Sequence, residues 1–146
     1  MFDIASLGRA TLLFRKIFNV LASFGSANGF WGGFEYAFLK GVDLSNQDGL
    51  PHLLFMAFQG TFAIITAALI SGAVIERISF RAYLLFIALW SLVVYAPVCH
   101  WVWGSGWLEA YNILDFAGGT VVHVNAGVAA FVAALVLKPR KDYGRQ

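Results

Sequence analysis

The chain has 146 residues, 60% of them hydrophobic and 12% charged, with a mean hydropathy of +0.72. A soluble domain is roughly half apolar and a quarter charged, so ten Lys and Arg with eight Asp and Glu cannot cover a core this rich in apolar surface, and lipid is the expected solvent. The net charge of +2, with no basic face interleaved with stacking aromatics, excludes a nucleic-acid partner.

Along the chain, Arg9, Arg15 and Lys16 precede a short apolar run, Ile17 to Phe24, and the small residues Gly25, Ser26 and Ala27. This is the outline of a secretory signal, or else the end of a membrane helix. Residues 28–50 carry many glycines and turn formers and predict an ordered extracellular connection. Three uncharged windows follow: Leu53 to Ile75, Ala82 to Trp103 and Phe116 to Leu137. Each supplies the run of about 20 residues that a spanning helix needs. The links between them, 76–81 and 104–115, are short enough to force antiparallel neighbours. The expected fold is an all-α membrane protein with three full transmembrane helices and a partial N-terminal one.

Charge orients these helices, because Lys and Arg stay on the cytoplasmic side of short loops. Arg77 and Arg81 lie in 76–81, and Lys138, Arg140, Lys141 and Arg145 in the tail, whereas 104–115 has no Lys or Arg and 25–52 has only Lys40. The first full span therefore runs inward, the second outward and the third inward. A multi-pass protein of the cell membrane with a basic cytoplasmic tail, 138–146, is expected.

Several side chains in the spans raise questions of chemistry. Phe55, Phe58 and Phe62 share one stripe of the first span. They either pack or face lipid, or else join Trp103 in an entrance whose aromatic faces attract a cation. Trp101, Trp103 and Trp107 also fit an interfacial aromatic belt. Pro97 is expected to bend the outer end of the second span. Asp115 reads as the N-cap of a helix starting at Phe116. His123 places an imidazole in a run of 22 uncharged residues, beside a small-residue face of Gly119, Gly127, Ala130 and Ala134. An ionisable group at that depth either bonds a neighbouring helix, with Thr120 or Asn125 in the same network, or carries function. A haem held between His100 and His123 lacks an attachment motif. Cys99 reads as apolar filler. Without a nucleophile–base pair, phosphate-binding loop or metal-ligand spacing, neither an enzyme nor a bound cofactor is expected.

The phrases Ala57-Phe-Gln-Gly-Thr-Phe-Ala-Ile-Ile-Thr66, Glu76-Arg77, Val94-Tyr-Ala-Pro97, His100-Trp-Val-Trp103 and Asp115-Phe-Ala-Gly-Gly-Thr-Val-Val-His123-Val-Asn125, in this order, closely resemble the ammonium transporter (Amt/Mep) family. The resemblance covers roughly Phe24 to Leu137 and corresponds to the end of the family's second membrane helix through its fifth. It implies that Phe58 and Trp103 belong to an outer substrate-binding site that recruits ammonium, and that Phe62 is one half of a phenylalanine gate. It implies that His123 is one of a pair of pore histidines passing ammonia, and that Asp115 supports the recruitment site. It also implies a homo-oligomer, a trimer in the family.

A family member has about eleven membrane helices in two inverted halves, with the pore between them. On this resemblance the chain divides into a divergent segment, 1–23, a partial transporter domain, 24–137, and the tail, 138–146. The expected function is ammonium transport by a truncated or split transporter that is inactive until it meets a complementary half. The alternative is a non-transporting membrane subunit that modulates full-length transporters.

Overall fold

The computed structural model describes residues 24, 28–47, 49–140 and 143–144. The expectations for 1–23, a signal sequence or a partial helix in a divergent segment, lie outside the described residues.

The stretch before the first span is ordered by short elements. A 3-10 turn covers Ala37–Leu39, and strands β1 (Asn46–Gln47) and β2 (Leu50–Pro51) pair antiparallel with Asn46 opposite Pro51. Helix α1 (His52–Val74) follows directly, with Pro51 preset at its cap by a φ of −59°. It is apolar on all sides, the pattern of a helix surrounded by protein and lipid. The turn after it has extended Ile75 and left-handed Glu76 (φ 62°), and is tied by Ile75 N–H to the Ser71 carbonyl and Arg77 N–H to that of Val74.

Ser79 caps helix α2 (Phe80–Trp90), its hydroxyl accepting from the Ala82 N–H. The backbone then widens through one π turn, Ser91–Tyr95, in which Ala96 N–H reaches back five residues to the Ser91 carbonyl. Helix α3 (Ala96–Trp103) continues the span. In a regular α-helix the ring of Pro97 would press on the carbonyl four residues back. The expected disturbance at Pro97 takes the form of this widened turn just ahead of it, and the helix continues to Trp103. A short helix, α4 (Trp107–Ala110), sits beyond that end.

The third span starts later than its uncharged window suggests. Residues 116–118 are not helical; a second π turn, Gly119–Val124, opens the span and helix α5 (Asn125–Leu137) completes it. Among the described residues, three helical stretches are thus long and apolar enough to cross a membrane: His52–Val74, Phe80–Ala110 and Gly119–Leu137.

The third span packs along α1, and a common core joins Ile70 and Val74 to Tyr83, Ile87, Trp90, Tyr95, Cys99, Val121 and Ala126. Two hydroxyls at this core bond backbone, which suits a medium without water. Thr66 Oγ1 donates to the Phe62 carbonyl at 2.6 Å and Tyr83 Oη to that of Ala67 at 2.8 Å. At the basic end, Arg77 Nη1 donates to the Ala134 carbonyl at 3.4 Å and Arg140 lies 3.9 Å from Glu76. The link 76–81 and the start of the tail therefore share one end, with 28–51 and α4 at the other. The Glu76–Arg140 pair is exposed and contributes little stability.

The same geometry sets a labelling experiment. Tyr111 and Tyr143 are exposed at opposite ends, and the native Cys99 is buried. In intact cells a membrane-impermeant maleimide is expected to label Tyr111→Cys, and to label Tyr143→Cys only after permeabilisation. The reverse pattern would invert the topology.

Candidate functional site

The site begins with a carboxylate. Asp115 Oδ1 accepts from the N–H groups of Gly118 and Gly119, both at 2.7 Å, while Oδ2 accepts from Thr120 at 2.7 Å and Val121 at 2.9 Å. These are donors that the first turn of a helix leaves without intrahelical partners. Burial raises the Asp115 pKa, but the four donors outweigh it and hold the carboxyl below its ordinary value. Asp115 was expected to cap a helix starting at Phe116. It caps instead the turn starting at Gly119, because residues 116–118 loop back to bring four amides onto one side chain. Gly118 makes that loop possible: its φ is 89°, and a Cβ there would lie 2.6 Å from Val122 Cγ2.

The main chain of Asp115 acts as well. Its carbonyl accepts the Trp103 indole N–H at 2.7 Å, which fixes the ring at the non-basic end of α3. The Trp103 ring meets Phe62 edge-on at 5.2 Å, and Phe62 meets Phe58 the same way at 5.2 Å. Phe58 and Phe62 are one helical turn apart on α1, so their rings stack along the axis. Phe58, Phe62, Trp103 and Asp115 border a common cavity of about 330 Å³ at the non-basic end. Phe58 is 57% exposed, so one ring face is open.

Two further polar residues border this cavity that the sequence reading left out, Gln59 and Glu109. Gln59 Oε1 is buried without a hydrogen-bond partner, and Glu109 Oε2 accepts the Ser105 N–H at 2.7 Å. The signal for Gln59 was present: it is the one carboxamide inside the first span, three residues from Phe62.

The other candidates fall elsewhere. His123 lies in the π turn, exposed, and does not border the cavity. Its small-residue face also lacks cover: Gly119 and Gly127 are exposed, and Ala130 and Ala134 half-buried. Asn125 does not join it, because residues two apart on a helix point to different flanks; its amide nitrogen is buried with no partner. His100 is buried, and its Nε2 donates to the Asn28 carbonyl at 2.7 Å. It anchors the loop before α1 and does not form a ligand pair with His123. Trp101 Nε1 donates to the Phe30 carbonyl at 3.0 Å and Trp107 N–H to that of Gly29 at 2.9 Å, so these two tryptophans hold the same loop. Of the three, only Trp103 enters the cavity.

Residues 14–146 match the model of the Ammonium Transporter Family. The chain belongs to that family. It is 52% identical over 129 residues to an ammonium transporter of Bacillus subtilis, covering 86% of this chain and 32% of the relative. It is 56% identical over 116 residues to one of Aquifex aeolicus, covering 78% and 27%. The crystal structure of Candida albicans Mep2 superposes with a TM-score of 0.84 at 34% identity, over 93% of this chain and 31% of that one. The chain therefore spans about a third of the length of such ammonium transporter relatives. Its all-α, multi-pass membrane architecture is that of the family.

The cap is open to direct test. Asp115→Ala leaves several partly buried N–H groups without a strong acceptor and is expected to cost about 1–3 kcal/mol, read by thermal unfolding in detergent with tryptophan fluorescence as the probe. Asp115→Asn, which keeps one acceptor oxygen, is expected to fall between the two. Because the folded carboxyl titrates below 3.8, its ordinary value, the stabilisation is complete above that value and is lost as pH falls through the lower folded one. The gap between native and Asp115→Ala chains should therefore be constant from neutral pH down to about that value, then close. A gap independent of pH would mean that the carboxylate charge is not what the amides bind.

Proposed function

We propose that this chain forms one wall of an ammonium pore. The aromatic cavity held over the Asp115 turn carries the reading: two phenylalanines and a tryptophan offer π faces to a cation, with Gln59 Oε1 and two carboxylates at the border. Phe58 and Trp103 recruit ammonium, and Phe62 is the inner gate. Beyond it the cation gives up its proton to the pore imidazoles, His123 among them, which relay it while ammonia takes the apolar path they line. Asp115 is a positioning residue, since its carbonyl holds Trp103 and its carboxylate holds the turn. Potassium, similar in size, has no proton to shed and is stopped where the path becomes apolar. No step in this sequence breaks a carbon bond or calls for a cofactor.

The matched third of the fold carries one side of each feature, so the 24–137 domain conducts only with a complementary half, in trimers as the family resemblance implies. The residues at 138–146 form a basic cytoplasmic tail. A non-transporting subunit that binds full-length transporters is the second reading, favoured by the uncovered His123 face.

Methylammonium uptake in cells without their own ammonium transporters tests this, comparing the chain alone with the chain plus the remainder of the Bacillus subtilis relative. Uptake is expected only with the remainder. A cation over an aromatic face gains about 0.5–2 kcal/mol, so Trp103→Leu is expected to raise KM roughly three- to thirty-fold, while His123→Ala changes the maximal rate. Uptake by the chain alone would overturn the half-pore reading, and a Trp103→Leu chain with native KM would remove the tryptophan from recruitment.

A further inference from the structure

A second unfilled space lies in the other half of the molecule. A groove of about 540 Å³ runs between α2 and α5, from Val74 and Leu137 at the basic end to Trp90 and Asn125. Its walls are apolar with one exception, the buried Asn125 Nδ2, which has no hydrogen-bond partner.

We infer that this groove seats a transmembrane helix of the same transporter, from the two-thirds of the fold that the matched region leaves out, and that Asn125 donates a hydrogen bond to an oxygen on that helix. The inference rests on the reading of the chain as part of a transporter. A lipid acyl chain would fit the apolar walls but has no acceptor, and an unmatched amide donor is costly in hydrocarbon. A trapped water needs two to four polar partners, and these walls offer one. A helix supplies both apolar surface and acceptor. Ala82, Ala129 and Ala133 on the walls let its backbone approach closely, and interhelical bonds from Asn side chains are a usual means of association in lipid. Asn125, Ala129, Val132 and Val136 form one stripe of α5, whereas His123, Gly127, Ala130 and Ala134 form another on the far side of the core-facing stripe. Docking in the groove therefore leaves the His123 flank open, and the third span carries two separate interfaces.

The test co-expresses the tagged chain with the remainder of the Bacillus subtilis relative as a separate polypeptide, and measures capture of the remainder in mild detergent. The native chain is expected to capture it. Ala129→Trp with Ala133→Trp, which fills the groove, should lower capture at least tenfold, and Leu85→Trp, on an exposed face that does not border the groove, should leave it unchanged. Asn125→Ala should lower capture several-fold, and Asn125→Ser, close to Ala in size but a donor, should recover part of the loss; equal capture by the two would show that Asn125 donates nothing. No capture by the native chain, full capture by the groove-filled chain, or capture of a second tagged copy in place of the remainder would overturn the inference. Uptake read in the same cells separates the two claims: capture without uptake contradicts the pore reading alone, and uptake by the groove-filled chain contradicts docking alone.

Discussion

The Asp115 carboxylate is the interaction on which the non-basic half of the molecule depends. A helix entering lipid brings amide donors that hydrocarbon cannot satisfy, and here one side chain accepts four of them. The loop that makes this reach possible needs a left-handed residue, which Gly118 provides. It also leaves the Asp115 carbonyl facing Trp103, so the ring on the second span is aimed by the residue that begins the third. Phe62 of the first span then packs on that ring, and Phe58 on Phe62. The first two spans and the loop that leads into the third meet in a cavity whose shape follows from one helix start.

Much of this was legible in the sequence, but unevenly. The three spans, their order and the grouping of basic residues at one end follow from apolar length and charge, which are bulk properties of a window. The start of the third span does not, since Phe116, Ala117 and Gly118 are as uncharged as the helix after them, and only the backbone shows that they form a turn. Phe58 and Phe62 were legible by helical spacing, and Trp103 by the motif around it. Asp115 was legible as a cap, but not its distance from the helix it caps. Gln59 was passed over because a single amide among aromatics resembles ordinary variation until its oxygen is seen to be buried and unmatched. His100 and His123 looked alike as membrane histidines, and only the structure separates a loop anchor from an uncovered surface residue.

The helices cover one another incompletely. Leu85, Val93, Phe131, Leu135 and Val136 are exposed, together with the His123 flank. In water such a surface would drive association by itself, whereas in lipid apolar area gives no net reason to assemble. Association then depends on close packing and on polar groups that hydrocarbon cannot satisfy, so small residues and single amides decide which faces are interfaces.

The two π turns give the spans a degree of freedom that hydropathy does not record. Each holds one residue more than an α turn needs, and one residue corresponds to about 100° of rotation around the helix axis. Ser91–Tyr95 thus sets the azimuth of Trp103 relative to Trp90 and Phe86, and Gly119–Val124 sets that of α5 relative to the Asp115 loop. A single deletion in either turn would keep the span apolar and long enough to cross, yet turn a different side of it toward its neighbours. In this fold the count of residues within a span matters as much as their polarity, and a lineage could redirect a helix face by losing one residue.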